Sequence, residues 1–244
     1  MAVITGGSRG IGSATAIAAA HAGWSVLLTC QHDEQSAATV VETIRSVGGL
    51  ASFIRADMAE EDDIAAIFES ADKLGAVTAF VANAGIAAAQ SRVDELTASR
   101  ITEILAVNVV GPLLACGHAV RRMSTRHGGA GGGIVLVSSA ASRLGAPGEY
   151  VDYAASKGAI DTLGIGLSRE VASEGIRVNV VRPGIIDTDM HARNGRPDRA
   201  KNLAATIPMQ RAGHPAEVAA GIIWLLGDDA SYCTGSILDI AGGR

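Results

Sequence analysis

The chain has 244 residues, of which 48% are hydrophobic and 18% are charged, and its net charge is −5. This composition is too apolar for a disordered chain, and the acidic balance argues against nucleic acid as a partner. Glycine occurs 30 times, whereas the chain holds only three Phe, three Tyr and two Trp. Proteins usually contain about 7% glycine, so this excess calls for a structural explanation.

Cysteine and histidine give no sign of a disulfide framework or a metal site. Cys30, Cys116 and Cys233 are odd in number and far apart, so we interpret them as small buried side chains. The six histidines show no paired helical spacing. No apolar run reaches the ~18 residues of a membrane span, and glycines interrupt the N-terminal run that resembles a signal peptide. We therefore expect a cytoplasmic protein without a metal or a membrane partner.

Short apolar runs alternate with longer helical patterns along the whole chain. The predicted strands are Ala2–Thr5, Ser25–Thr29, Ala51–Arg55, Val77–Ala82, Ile134–Ser138, Arg177–Val181 and Ser236–Asp239. The predicted helices lie near residues 10–22, 34–47, 60–74, 97–127, 152–174 and 215–227. Most of these strands are continuously apolar, as strands buried on both faces of a parallel sheet are. The alternation predicts an α/β fold with a doubly wound parallel sheet, formed by one domain over residues 1–244.

The first predicted turn is rich in glycine and reads Thr5-Gly6-Gly7-Ser8-Arg9-Gly10-Ile11-Gly12. A tight turn before a helix lets the backbone approach a pyrophosphate at the helix N-terminus. The same segment also matches G-x-S-x-G, which would make Ser8 the nucleophile of a serine hydrolase. In such hydrolases an oxyanion-hole loop and several strands precede that motif, whereas here only seven residues do. We therefore favour a dinucleotide site.

Tyr153 and Lys157 form a candidate acid–base pair. They are four residues apart on a predicted helix, which places both on one face. A cation beside a phenol favours the phenolate and lowers its pKa, as a general acid or base requires.

Six motifs occur along the chain in a fixed order: Thr5–Gly12, Asn83-Ala84-Gly85, Asn108-Val109-Val110-Gly111, Ser138-Ser139, Tyr153–Lys157 and Pro183-Gly184. Together they resemble the short-chain dehydrogenase/reductase family, close to its 3-oxoacyl carrier-protein reductases and glucose 1-dehydrogenases. The likeness covers the whole chain. It implies a Rossmann fold with seven parallel strands in the order 3-2-1-4-5-6-7 and helices on both faces.

The resemblance implies hydride transfer between a nicotinamide cofactor and a ketone or secondary alcohol. Tyr153 would act as general acid/base, and Lys157 would lower its pKa and hold the nicotinamide ribose. Ser139 would bind the substrate oxygen, and Asn108 would sit in a helix irregularity and hold a water that relays protons. Ser139 precedes Tyr153 by fourteen positions, one more than is usual in the family. We attribute the difference to an insertion within Pro147–Tyr150 and keep Ser139 as catalytic.

The resemblance also implies the cofactor contacts. Arg9 lies in the turn, where related NADP enzymes carry a base that meets the 2′-phosphate. Cys30 stands where an NAD enzyme often carries an acid that holds the ribose 2′-hydroxyl. Both features favour NADP(H). NAD(H) stays possible, because Gln31 stands where many relatives have a second arginine and Asp33 is near. The other implied contacts are Gly6, Ser8, Gly10, Ile11, Gly12, Asp57, Asn83, Gly85, Tyr153, Lys157, Pro183, Gly184, Ile186 and Thr188.

Two segments between the predicted elements are expected to be irregular. Gly128–Gly133 is interpreted as a flexible connection into the fifth strand. Residues 188–206 are expected to form a substrate lid. The lid carries several cations, which either attract an anionic substrate or form a solvated surface: His191, Arg193, Arg196, Arg199 and Lys201.

The family likeness implies a homotetramer, or a homodimer, through the helices near 97–127 and 152–174. Gly111, Ala115, Gly158 and Gly166 are small enough to let these helices approach closely. The expected partner is a small carbonyl or alcohol substrate. A dinucleotide-binding sensor that has lost catalysis is the alternative, and the complete acid–base set argues against it.

Overall fold

Seven parallel strands form one sheet in the order β3-β2-β1-β4-β5-β6-β7, as predicted. The computed structural model describes residues 1–188, 196 and 198–244. The strands are β1 (Ala2–Ile4), β2 (Val26–Cys30), β3 (Ala51–Arg55), β4 (Ala79–Ala82), β5 (Gly132–Val137), β6 (Ile176–Pro183) and β7 (Ile237–Ile240). Each lies within about two residues of a predicted strand, a typical error for a boundary read from sequence.

Helices connect the strands and lie on both faces of the sheet. They are α1 (Gly10–His21), α2 (Glu34–Ser46), α3 (Glu61–Leu74), α4 (Ala98–Leu105), α5 (Gly111–Met123), α6 (Ala141–Leu144), α7 (Val151–Val171), α8 (Arg199–Leu203) and α9 (Pro215–Leu226). Side chains alternate between the faces along each strand. In β1, Ala2 and Ile4 join a core with α1, α2 and α9, and Val3 joins a core with α3, α5 and α7.

The predicted helix at 97–127 is interrupted near its middle. A π-helical segment, Ala106–Val110, separates α4 from α5. The run Ala98–Met123 is long and apolar enough to cross a membrane, by length and composition alone. This contradicts the prediction that no segment reaches that length. Core helices of globular proteins pass the same test, and this run packs against α3, β4 and α7.

The segment Gly128–Gly133 is not a flexible connection, which corrects the sequence interpretation. Gly132 and Gly133 already belong to β5, and their amides donate to the carbonyl oxygens of Gly175 and Thr78, both at 3.0 Å. A Cβ on Gly132 would lie 2.0 Å from the Thr78 oxygen. Glycine is required at this position because another backbone approaches it closely.

Two of the small residues expected between subunits are packed inside the subunit. A Cβ on Gly111 would lie 2.3 Å from the Met58 carbonyl oxygen, and Ala115 is fully buried. Gly158 and Gly166, by contrast, have open space at the position of a Cβ. Of the four, only the two α7 glycines are therefore available for contact with another chain.

Candidate active site

A cleft of about 520 Å³ crosses the carboxyl ends of the strands, where ligands bind in doubly wound sheets. It runs from the glycine-rich turn before α1 to Tyr150 and Arg199. All the predicted catalytic and cofactor residues line it except Asn108, which lies behind its wall and is fully buried. No histidine lines this cleft in the described residues. Ser8 therefore lacks the histidine base of a serine hydrolase triad there.

The glycine-rich turn is shaped to bring backbone close to a phosphate. Gly6 and Gly10 have φ values of +63° and +55°, in the left-handed region that favours glycine. A Cβ on Gly12 would lie 2.1 Å from the Gly6 carbonyl oxygen. Among the described residues, the N-cap residue Arg9 makes no side-chain hydrogen bond to the first turn of α1, which leaves N–H groups there for an anion. The turn therefore fits the pyrophosphate of a dinucleotide.

Neighbouring strand ends hold this turn in place. The Asn83 side-chain amide donates to the carbonyl oxygens of Thr5 at 2.9 Å and Gly6 at 3.0 Å. The Gly6 amide donates to the Thr29 hydroxyl oxygen at 3.1 Å. The Thr5 hydroxyl oxygen accepts from the amides of Asn83 and Ala84, both at 3.0 Å. Thr5 and Thr29 were not predicted as site residues, because the hydrogen bonds by which they hold the turn depend on which strands become neighbours in the sheet.

At the adenosine end, a cation and two carboxylates lie around the ends of β2 and β3. The Arg9 guanidinium is 3.5 Å from the Asp33 carboxylate, and both side chains are 31% exposed. Gln31 donates to Asp57 at 2.7 Å, so the glutamine restrains this acid. Cys30 is buried at the end of β2. Arg9 is therefore close to the position predicted for the ribose, but a carboxylate already neutralises part of its charge.

Ser139, Tyr153 and Lys157 come together beyond β5. Ser139 and Tyr153 both line the cleft, Ser139 lowers the pKa of the Tyr153 hydroxyl, and the Lys157 ammonium lies 5.7 Å from the centroid of the Tyr153 ring. The ammonium donates to the Val137 carbonyl oxygen at 2.8 Å. Ser138 instead donates to the backbone oxygen of Lys157 at 3.0 Å. The choice of Ser139 over Ser138 is thus supported despite the unusual spacing.

Burial changes the acidity of both groups. Burial raises the pKa of Tyr153, and the hydrogen bond from Ser139 opposes that rise. Burial lowers the pKa of Lys157 to about 8, and the Asp161 carboxylate opposes that change. Lys157 does not contribute to the shift in the pKa of Tyr153. That Lys157 lowers the pKa of Tyr153 stays a prediction. That Lys157 is charged in the working enzyme stays a prediction as well.

Asn108 connects three parts of the site from behind the cleft. Its position in the π-helical segment confirms the predicted helix irregularity. The side-chain oxygen accepts from the Ile86 amide at 2.8 Å, and its nitrogen donates to the Ile86 carbonyl at 2.8 Å. The same nitrogen donates to the Ser156 hydroxyl at 3.1 Å, next to Lys157 in α7. These contacts make Asn108 a brace, and its part in a proton relay stays a prediction.

The residues after β6 complete the opposite wall of the cleft. The Ala140 amide donates to the Pro183 carbonyl oxygen at 2.9 Å, which ties this wall to the segment after Ser139. A Cβ on Gly184 would lie 2.7 Å from the Ala241 Cα. Thr188 lies opposite the glycine-rich turn, where a Cβ on Gly10 would be 3.3 Å from its methyl group. Ile186 is buried in the same wall.

Two of the predicted lid cations share one carboxylate. Glu149 accepts from Arg199 at 3.0 and 2.5 Å and from Arg196 at 2.9 Å. The Arg199 hydrogen bond is the largest cause that lowers the pKa of Glu149 to about 2. These arginines therefore hold the mouth of the cleft together, and the carboxylate offsets one of their two positive charges. Lys201 is exposed, and His191 and Arg193 lie outside the described residues.

The chain matches known proteins over nearly its whole length. A family model described as enoyl-(acyl carrier protein) reductase matches residues 6–244. An uncharacterized oxidoreductase of Escherichia coli (strain K12), YgfF, is 53% identical over 245 residues, covering 100% of this chain and 99% of the relative. Glucose 1-dehydrogenase 2 of Bacillus subtilis (strain 168) is 31% identical over 243 residues, covering 99% of this chain and 93% of the relative.

Solved structures agree with these sequence matches. A short-chain dehydrogenase from Burkholderia cenocepacia J2315 in complex with NADP has a TM-score of 0.89 and 34% identity, covering 99% of this chain and 96% of that one. The chain belongs to the short-chain dehydrogenase/reductase family. It is an oxidoreductase that acts on alcohol or carbonyl groups with a nicotinamide cofactor, which confirms the predicted class.

Proposed function

We propose that the protein transfers hydride between NADP(H) and a small ketone or secondary alcohol, with Tyr153 as general acid/base. The observation that carries this proposal is one cleft with the glycine-rich turn at one end and Ser139, Tyr153 and Lys157 beyond it. When bound, the cofactor supplies or accepts the hydride. Tyr153 gives a proton to the carbonyl oxygen or removes it from the alcohol, while Ser139 holds that oxygen.

A panel assay tests the reaction. Purified protein is mixed with NADPH or NADH and with simple ketones, aldehydes, sugars and acyl thioesters, and the loss of reduced-cofactor absorbance is followed. We expect turnover with at least one carbonyl class. NADPH binding without turnover of any compound would instead support the dinucleotide sensor.

We propose that NADP(H) is preferred over NAD(H), through the Arg9 guanidinium. Arg9 lines the cleft beside the glycine-rich turn, and a guanidinium binds a phosphate through two parallel hydrogen bonds. A 2′-phosphate would compete with Asp33, which is 3.5 Å from Arg9. This competition predicts a moderate preference for NADP(H) and measurable activity with NAD(H).

Substitution of Arg9 with alanine should raise the KM for NADPH about 10-fold or more, the loss expected for a charged hydrogen bond. The KM for NADH should change much less, because NADH has no 2′-phosphate. The counterpart Asp33→Asn should lower the KM for NADPH by removing the competing charge. Equal effects of Arg9→Ala on both cofactors would refute the assignment.

We further propose a cytoplasmic homotetramer, or failing that a homodimer, with neither nucleic acid nor a membrane as partner. Large apolar side chains are exposed on the outer faces of α4, α5 and α7, and they include Ile101, Leu105, Leu113 and Ile165. Contact with a second copy would remove them from water. All three cysteines are free, as is usual in a reducing compartment. Sedimentation equilibrium tests the assembly, and a monomer would contradict it.

A further inference from the structure

Arg244 brings a positive charge to the substrate end of the cleft. Two guanidinium groups line this end, those of Arg199 and Arg244, together with the carboxylate of Glu149. Glu149 is already bound by Arg199 through two hydrogen bonds. In the described part of the chain, the Nη1 atom of Arg244 is buried and has no hydrogen-bond partner. A buried donor without an acceptor is unfavourable, and an anion bound in the cleft would supply an acceptor for this atom.

The backbone of Arg244 is tied to both walls of the active site. Its amide donates to the Ala241 carbonyl oxygen at 3.2 Å, and Ala241 packs against Gly184 on one wall. Its main-chain oxygen accepts from the Arg143 guanidinium at 2.5 Å, and Arg143 lies in α6, directly after Ser139 and Ala140. The side chain therefore starts from a position fixed relative to the catalytic residues.

Nearby carboxylates are engaged elsewhere. Asp239 lies 3.8 Å from Arg143 and 3.9 Å from Arg182, and Glu149 holds the two lid arginines. No ion pair joins Arg244 to an acidic side chain among residues 1–188, 196 and 198–244. The remaining lining of this end is mainly apolar and includes Ala141, Leu144, Ala146, Tyr150 and Ile185.

We propose that the substrate is an oxo or hydroxy carboxylic acid whose carboxylate is bound by Arg244. The inference rests on the proposed oxidoreductase function and names the substrate class of the same site. A guanidinium matches a carboxylate through paired hydrogen bonds, and the apolar lining suits the carbon skeleton between the two oxygen functions. Ser139 and Tyr153 bind the carbonyl or hydroxyl oxygen. The carboxylate anchors the substrate and takes no part in hydride transfer.

Matched pairs of substrates test the assignment. Reduction of levulinate and of 4-acetylbenzoate is compared with reduction of each acid's primary amide, with NADPH in excess. In the wild type we expect kcat/KM for the acid to exceed that for its amide by about 10- to 100-fold, the contribution of a charged hydrogen bond. In Arg244→Gln the acid-to-amide ratio should fall close to one, chiefly through KM of the acid. Arg244→Lys should give an intermediate ratio, because lysine keeps the positive charge but lacks the two parallel N–H donors of a guanidinium group.

Arg92→Gln is the matched control, because the Arg92 side chain is 71% exposed and pairs with Asp94 on the surface. It removes one positive charge away from the cleft and should keep the wild-type ratio. If the wild type turns over amides and acids equally, or if Arg244→Gln keeps the preference for acids, the assignment is wrong even though the oxidoreductase function stands.

A binding measurement separates the two proposals. With NADPH present, 4-acetylbenzoate should raise the Tm of the wild type and of Arg92→Gln more than that of Arg244→Gln, because ligand binding stabilises the native state. If this difference in Tm shift is found but no carbonyl compound is turned over, the proposed reaction is contradicted and the proposed carboxylate site at Arg244 stands. An equal Tm shift in wild type and Arg244→Gln would overturn the anion site.

Discussion

Substitution of Tyr153 with phenylalanine should lower kcat by about 10²- to 10⁴-fold, the usual contribution of a positioned general acid or base. The change removes one hydroxyl group and keeps the ring on which the packing depends. Ser139 then loses the phenol whose pKa it lowers, and no other phenol occupies this position. The Kd for NADPH should stay near the wild-type value, because the glycine-rich turn and Lys157 are unchanged. Single-turnover reduction and equilibrium NADPH fluorescence measure the two quantities separately.

Tyr232→Phe is the matched control for this experiment. Tyr232 is fully exposed and is not among the residues that line the cleft, so its variant should keep both kcat and cofactor affinity. Unchanged turnover in Tyr153→Phe would exclude this tyrosine as the acid/base group. If the variant loses both NADPH binding and turnover, the phenol holds the cofactor and its role as the acid/base group is not supported.

The order of the motifs was sufficient to predict where the site lies. In a parallel sheet every carboxyl end meets the same edge, so a motif that follows a predicted strand must face that edge. Gly6, Asp57, Asn83 and Ser139 follow four different strands and line the same cleft. Asn108 follows none of them. Its burial behind the cleft depends on the π-helical segment and on packing against α7, which a motif does not specify.

Partners of charged residues could not be predicted, because they depend on contacts between distant segments. The sequence shows five cations in the lid, but it does not show that Glu149, 50 residues before Arg199, binds two of them. The same limit applies to Arg9 and Asp33, which lie 24 residues apart. Arg244 belongs to no motif, and only the burial of its unpaired nitrogen draws attention to it.

Composition alone misled the interpretation of Gly128–Gly133. Glycine favours a flexible connection because it lacks a side chain, and for the same reason it permits close approach of two backbones. The sequence cannot separate these cases, since the approaching segments around Thr78 and Gly175 are distant along the chain. The structure separates them within the segment: Gly128 has open space at its Cβ position, whereas Gly132 does not.

Gly132→Ala should therefore lower the free energy of unfolding by about 2–5 kcal/mol, the sum of backbone strain and a forced shift in a packed region. Gly132 has a φ of +143°, and its new methyl group would lie 2.0 Å from the Thr78 carbonyl oxygen. The shift would disturb the pairing of β5 with its neighbours at the centre of the sheet.

Gly128→Ala is the control, because its φ of +84° imposes strain without any contact within 4 Å. Its cost should stay near 1 kcal/mol. Urea unfolding followed by circular dichroism measures both losses, and equal values would show that the backbone of Gly132 moves away from Thr78 at no cost.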